Sequence, residues 1–395
     1  MSNKNIYEQN LDQNSANYAH LTPLSFIERS ASVYPNKVSI IHGKIHYTWS
    51  QTYNRCCQLA SALQQLGVGK GDTVSFMGAN SPETFEAHFG VPMIGAVLNA
   101  LNVRLDAKAI AFIIEHAETK VLFTDKEYSQ TIRDALEIVT NKPVVIDIND
   151  PYFNEGELLG QTTYDEFLKT GSEDFSCFQI EDEWQAISLN YTSGTTGDPK
   201  GVVYHHRGSY LTALSNVISW DMDAHPVYLW TLPMFHCNGW CFPWSLAVVA
   251  GTSVCLRQVR DKAIFNAIKQ NGVTHFCGAP VVLNTLLNAP EDMKQGIDRT
   301  VNCMTAGAAP PAAVIAGMEE MGFSVTHVYG LTETYGPCVV CAPQESWIEL
   351  SVQERAEVKA RQGVRTALQD EIMVANSETM AVSYTHLTLP TNREV

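Results

Sequence analysis

The chain has 395 residues, 45% of them hydrophobic and 17% charged, a balance that supports a packed core and excludes a disordered polymer. Its 42 acidic residues outweigh 26 basic ones for a formal net charge of -16, which removes any general attraction to nucleic acid or an anionic membrane. An anionic ligand therefore has to be held by a local cluster of donors.

In chain order, residues 1–20 form a polar segment without an apolar signal core. Apolar residues spaced by three and four predict helices over Thr52–Leu66 and Glu83–Leu101. Short β-rich runs predict buried strands at Asp72–Met77, Lys120–Thr124 and Pro143–Ile148. The apolar run Ala186–Leu189 leads into YTSGTTGDPKG at Tyr191–Gly201. Further strands are predicted at Val227–Leu232, Thr274–Cys277, Val301–Thr305 and Ser324–Tyr329, with helices at Ala263–Gln270 and Pro311–Met321. This alternation argues for an α/β fold of two layered subdomains with mostly parallel sheets.

The most apolar stretches, 89–103 and 241–256, are broken by proline, glycine and polar residues and are too short to span a bilayer. Ten scattered cysteines do not make a disulfide scaffold, and the pairs Cys338/Cys341 and Cys237/Cys241 lack a second pair at zinc spacing. They read as reduced thiols, so a soluble, cytoplasmic protein is expected. From Ala381 the run AVSYTHLTLPTNREV breaks with what precedes it, so 381–395 reads as a tail foreign to the domain at 21–380.

The segment with the clearest chemistry is Tyr191–Gly201. Thr192, Ser193, Thr195 and Thr196 supply hydroxyl donors, and Gly194 and Gly197 let successive backbone N–H groups face one anion. Lys200 adds a mobile positive charge. The combination suits a polyphosphate, although the Walker spacing GxxxxGK[ST] is absent. Composition alone leaves a Gly/Thr-rich surface loop open. His205 and His206 lie beside it, but without cysteine or carboxylate partners at ligand spacing no zinc site is expected.

YTSGTTGDPKG, with Arg207 and Gly208 after it, resembles the phosphate-loop signature of the adenylate-forming superfamily. Two further segments match in order: FHCNGWCFPW at Phe235–Trp244 is similar to the acyl-pocket motif, and YGLTETYG at Tyr329–Gly336 to the nucleotide and magnesium motif. Gly307-Ala308-Ala309-Pro310 resembles the segment that lies along the adenine. LTPLSFIERSA (Leu21–Ala31), AHFGVPMIGAVLNALN (Ala87–Asn102) and ERAEVKARQGVR (Glu354–Arg365) resemble the medium-chain fatty-acyl-CoA synthetases and plant acyl-activating enzymes.

The resemblance implies the large N-terminal domain of the adenylate-forming fold and a two-step ligase. A carboxylate attacks the α-phosphate of ATP and releases pyrophosphate, and the thiol of CoA then takes the acyl group and releases AMP. Magnesium, ATP and CoA are implied, with a fatty acid of medium length as substrate. Homodimerisation is compatible with this, and neither nucleic acid nor an integral membrane segment is expected. Catalytic roles fall on Thr192, Lys200, His236 and Glu333, with Thr192 and Glu333 holding magnesium. Nucleotide contacts fall on Thr192, Ser193, Gly194, Thr195, Thr196, Gly197 and Lys200. Beyond that loop they fall on Gly307, Ala308, Ala309, His327, Val328, Tyr329, Gly330 and Thr332. His236, Cys237, Trp240 and Gly307 are the acyl-pocket residues.

The family's TGD segment, whose aspartate binds the ribose, and its small C-terminal lid with a catalytic lysine have no counterpart within these residues. The chain is therefore expected to be truncated, which leaves any peroxisomal C-terminal signal beyond reach. Transfer of another apolar acid to an acceptor other than CoA is an alternative, as is a non-catalytic ATP- or acyl-binding remnant.

Overall fold

The computed structural model describes residues 5–192, 199–376 and 379–381. Its strands run in chain order as β1 (Val38–His42), β2 (Ile45–Thr48), β3 (Thr73–Met77), β4 (Val97–Ala100), β5 (Thr119–Asp125), β6 (Val144–Ile148), β7 (Ala186–Thr192) and β8 (Lys200–His205). They continue as β9 (Val227–Leu229), β10 (Thr252–Val254), β11 (His275–Gly278), β12 (Val301–Thr305), β13 (Phe323–Leu331), β14 (Gly336–Val340) and β15 (Val364–Arg365).

The strands make two sheets. One has nine strands in the order β15-β14-β13-β12-β11-β9-β10-β1-β2, and the other six in the order β6-β5-β3-β4-β7-β8. Their central pairs are parallel, and antiparallel pairs sit at the margins: β1/β2, β13/β14 and β14/β15 in the first sheet, β7/β8 in the second. Every residue of β3 is buried, as a central parallel strand covered on both faces requires. This is the expected α/β architecture.

One expected helix ends early. The segment 83–101 is helical only over Pro82–Gly90, then passes through a short turn at Pro92–Ile94 into β4. Pro92 has no N–H to continue the helix, and Gly95 takes a left-handed φ of 75°. The apolar run that follows pairs between β3 and β7. The helix expected at Thr52–Leu66 begins earlier, at Trp49, because Thr48 and Gln51 form a reciprocal capping box.

A buried charge cluster ties the two sheets together. Arg257, just past β10 of the larger sheet, donates to Asp125 at 2.7 Å and Asp150 at 2.6 Å, and also pairs with Glu127. His42 of β1 reaches the same Asp150 at 2.8 Å. Asp125 and Asp150 lie at the ends of β5 and β6, so groups from one sheet neutralise carboxylates of the other. Burial alone would raise the Asp150 carboxyl, but hydrogen bonds from His42, Tyr152 N–H and Arg257 win and hold it well below the usual range.

Candidate active site at the strand ends

The segments singled out from the sequence leave the C-terminal ends of β7, β9, β12 and β13, the usual position of ligand sites in α/β sheets. Thr192 ends β7 and pairs directly with Lys200, which starts β8. Thr192 is half-buried and Lys200 exposed. Ser193, Gly194, Thr195, Thr196 and Gly197 lie outside the described residues. His205 closes β8 and caps the helix His206–Ser219 by accepting from Gly208 N–H at 2.8 Å. His206 shares a 2.9 Å hydrogen bond with Thr22 and is buried, which lowers its pKa to about 4. Both histidines thus serve local structure.

The 331–336 turn docks onto the base of this hairpin through two aromatic rings. Tyr335 stacks on the buried Tyr204 at 4.0 Å, and its hydroxyl accepts from His205 N–H at 3.0 Å. Tyr204 donates to the Thr332 carbonyl at 2.7 Å. Gly208 is required beneath Tyr335, because a Cβ there would fall 2.5 Å from the ring. Within the turn, the Thr334 hydroxyl accepts from Leu331 N–H and donates to the Gly336 carbonyl. Glu333 is exposed and makes no hydrogen bond or ion pair with the described residues.

The segment after β9 reaches the same point. Cys237, Asn238, Gly239, Trp240 and Cys241 have φ of 44°, 40°, 55°, 54° and 63°, so five successive residues wind left-handed. For non-glycine residues this costs about 1–2 kcal/mol each, and such strain persists only where surrounding contacts enforce it. Cys237 Sγ lies 3.3 Å from Thr332 Oγ1, Asn238 N–H donates to Asn190 Oδ1 on β7, and Asn216 donates to the Trp240 carbonyl at 2.8 Å. Gly336 sits against Trp240, where a Cβ would lie 3.1 Å from the tryptophan Cα. Trp240 is only 6% exposed.

Thr332 is therefore where three elements meet: the phosphate hairpin through Tyr204, the left-handed turn through Cys237, and its own turn with Glu333. His236, at the mouth of the left-handed turn, is exposed although protein surrounds it on most sides. That enclosure, and then the charge of Arg104, lower its pKa. Burial raises the Cys237 thiol, so it stays protonated and is no nucleophile. Gly307, with φ of 89°, Ala308 and Ala309 are exposed just past β12.

Two of the expected nucleotide residues have buried side chains. His327 is 2% exposed, with its Nδ1 against the carbonyls of Ala360 and Arg361, and Val328 is 1% exposed in the core. The open positions of this segment are Tyr329, Leu331 and Glu333, with Gly330 and Thr332 half-buried. Gly330 is demanded by the hairpin, since a Cβ would meet the Gly336 carbonyl at 1.7 Å. Among the described residues no group of three or more histidine, cysteine, aspartate or glutamate side chains could hold a metal, and no helix is long and apolar enough to cross a membrane. Sequence reasoning passed over Tyr204 and Tyr335; an aromatic at each junction of two motifs was the available signal.

Two α/β sheets thus bring the phosphate hairpin, the left-handed turn and the 331–336 turn together at their strand ends. Residues 27–384 match the family model described as AMP-binding enzyme, and the chain belongs to that family. It is 49% identical over 377 residues to the peroxisomal acetate/butyrate–CoA ligase of Arabidopsis thaliana, an alignment covering 92% of this chain and 66% of that one. It is 44% identical to the peroxisomal trans-cinnamate:CoA ligase of Petunia hybrida, covering 92% and 67%. The fold is similar to the N-terminal domain of FACL13 from Mycobacterium tuberculosis, with a TM-score of 0.79, 23% identity, and coverage of 92% of this chain and 86% of that one. The chain spans about two thirds of the length of the curated relatives it matches. The expectation of a cytoplasmic protein is corrected by such relatives, both of these ligases and three further ones being named peroxisomal.

Proposed function

We propose that this chain is the large domain of an ATP-dependent acid–CoA ligase that activates a short- to medium-chain monocarboxylate. The observation that carries this reading is the convergence on Thr332 of the phosphate hairpin, the left-handed turn with His236 and Trp240, and the turn bearing Glu333. The peroxisomal relatives support the peroxisome as its site of action. The domain reading of 21–380 with a tail at 381–395 accompanies the proposal; residues 382–395 lie outside the described residues.

In this reading Lys200 and the Thr192 hydroxyl bind the polyphosphate, and the exposed backbone of Gly307–Ala309 with the Tyr329 ring holds the adenosine. The His236 ring donates to the acid's carboxylate and aims it at the α-phosphate, while Trp240 and Cys237 wall the acyl channel. A magnesium ion entering with the polyphosphate fits the residues present, because Glu333 offers a hard oxygen ligand with no competing partner among the described residues. Thr192 would be its hydroxyl partner. Bound there, the ion supplies neutralisation of phosphate charge.

The test is CoA-dependent release of AMP, with thioester formed, by the full-length enzyme across a panel of carboxylic acids. Release with short or medium unbranched acids supports the reading, and ADP with phosphate as products defeats it. Trp240 also makes a substrate prediction. Trp240→Gly is expected to move preference toward longer or bulkier acids, at about 0.8 kcal/mol for each methylene newly buried. Neighbouring chain lengths should then separate by roughly 1–3 kcal/mol at most. An unchanged chain-length profile in kcat/KM would mean that Trp240 only packs the core.

A further inference from the structure

We infer that Asn80 is the positioning residue that holds the acyl segment in its strained shape, a role that rests on the proposed acid-activating function. Asn80 lies beyond β3 of the smaller sheet, just ahead of the helix Pro82–Gly90, and is 8% exposed. Its side chain does not serve its own helix. Nδ2 donates to the Trp230 carbonyl at 2.8 Å and to the Leu232 carbonyl at 3.1 Å, and Oδ1 accepts from Met234 N–H at 2.8 Å. Both amide hydrogens and the amide oxygen are thus spent on one stretch of the larger sheet's chain, two residues before His236.

That stretch is the support of the left-handed turn. The Trp230 ring is fully buried directly under Gly239, where a Cβ would come within 2.9 Å of it. The far side of the turn is held by the helix that follows Asn80: Trp244 donates from Nε1 to the His88 carbonyl at 3.1 Å. Asn80, just ahead of the helix Pro82–Gly90, and His88 within it therefore grip both flanks of residues 237–241 from the smaller sheet's side. Left-handed backbone at four non-glycine positions persists only under such enforcement. Without Asn80, three buried backbone groups lose their partners on the His236 side, where the chain is then free to relax. His236 and Trp240 shift, and the acid is misplaced while the nucleotide groups on β7, β12 and β13 stay where they are.

A carboxamide is the side chain that donates twice and accepts once at this reach. Asn80→Asp keeps the size but turns an acceptor toward two carbonyls, so it should harm the site more than Asn80→Ala. The experiment uses the full-length enzyme and reads KM for the acid, KM for ATP, and amide hydrogen exchange over residues 231–241. In Asn80→Ala the acid KM should rise about tenfold to a hundredfold, the cost of a misplacement on the order of 1 Å. KM for ATP should stay within about twofold, a range that leaves nucleotide binding intact. Exchange should accelerate in 231–241 and not across the core. Asn80→Ser, which retains one donor, should fall between wild type and alanine. Equal changes in both KM values with a general rise in exchange would make Asn80 a stability residue and overturn the inference, as would unchanged exchange in 231–241. A wild-type enzyme inactive on every acid would count against the proposed function instead, and the exchange result would still decide the role of Asn80.

Discussion

Glu333→Gln is expected to lose magnesium-dependent adenylation while its melting temperature stays at the wild-type value. The carboxylate is exposed and bonded to no described residue, so the fold does not depend on it. The 331–336 turn is held by the Thr334 hydroxyl and the Tyr335–Tyr204 stack, none of which the substitution touches. What changes is the charge presented to the polyphosphate. Glutamine keeps the shape and one oxygen but removes the negative charge that draws the ion. Loss of one preorganised electrostatic contact at a phosphoryl centre commonly costs about 100- to 1,000-fold in rate. Rates measured at rising magnesium concentration decide the matter: a wild-type rate with a wild-type magnesium dependence would mean that Glu333 is not a ligand.

The second large effect is on stability. Arg257→Met, which preserves the bulk of the stem, should destabilise the fold by about 3–5 kcal/mol near neutral pH, because it leaves buried carboxylates without their counter-charge. Arg257 is 8% exposed, Asp125 0% and Asp150 1%, so water cannot take over the pairing. The pH dependence should change as well. In the wild type the Asp150 carboxyl is held below its ordinary value, so its contribution is present above about pH 4 and is lost as pH falls through the folded pKa. In the variant His42 and Tyr152 N–H still hold Asp150, but the Arg257 share of the depression is gone, so less stability is lost on acidification. The stability gap between the two proteins should therefore narrow as pH is lowered. Urea denaturation from neutral to acid pH measures it, and a gap that stays constant would remove the clamp from the account.

Much of the framework could be read from residues. β3, β5 and β12 announced themselves as short, mostly apolar or β-prone runs bounded by polar or turn residues, and nearly all of their residues are buried. β4 did not, since Val97–Ala100 follows a helix of equally apolar character; Pro92 and Gly95 were the marks of the break. β8 is an edge strand with one buried residue, Tyr204, and carried no apolar pattern to find. The left-handed turn was illegible for a different reason. Only one of its five residues is glycine, and its conformation is imposed by Asn216, Trp230 and Gly336, far away in sequence. The burial of His327 and Val328 likewise follows from β14 and the 360–361 carbonyls closing over them. Motifs located the turns; the contacts that join them at Thr332 are tertiary.

The most direct test of the central claim is acid-dependent exchange of labelled pyrophosphate into ATP by the full-length enzyme, with no CoA present. Adenylation is reversible before the thiol acts, so the exchange isolates the step assigned to this domain. With magnesium and acetate, butyrate or hexanoate, exchange should appear, should vanish when the acid is omitted, and should be strongly reduced in Glu333→Gln. No exchange with any acid under conditions in which thioester still forms would contradict the account.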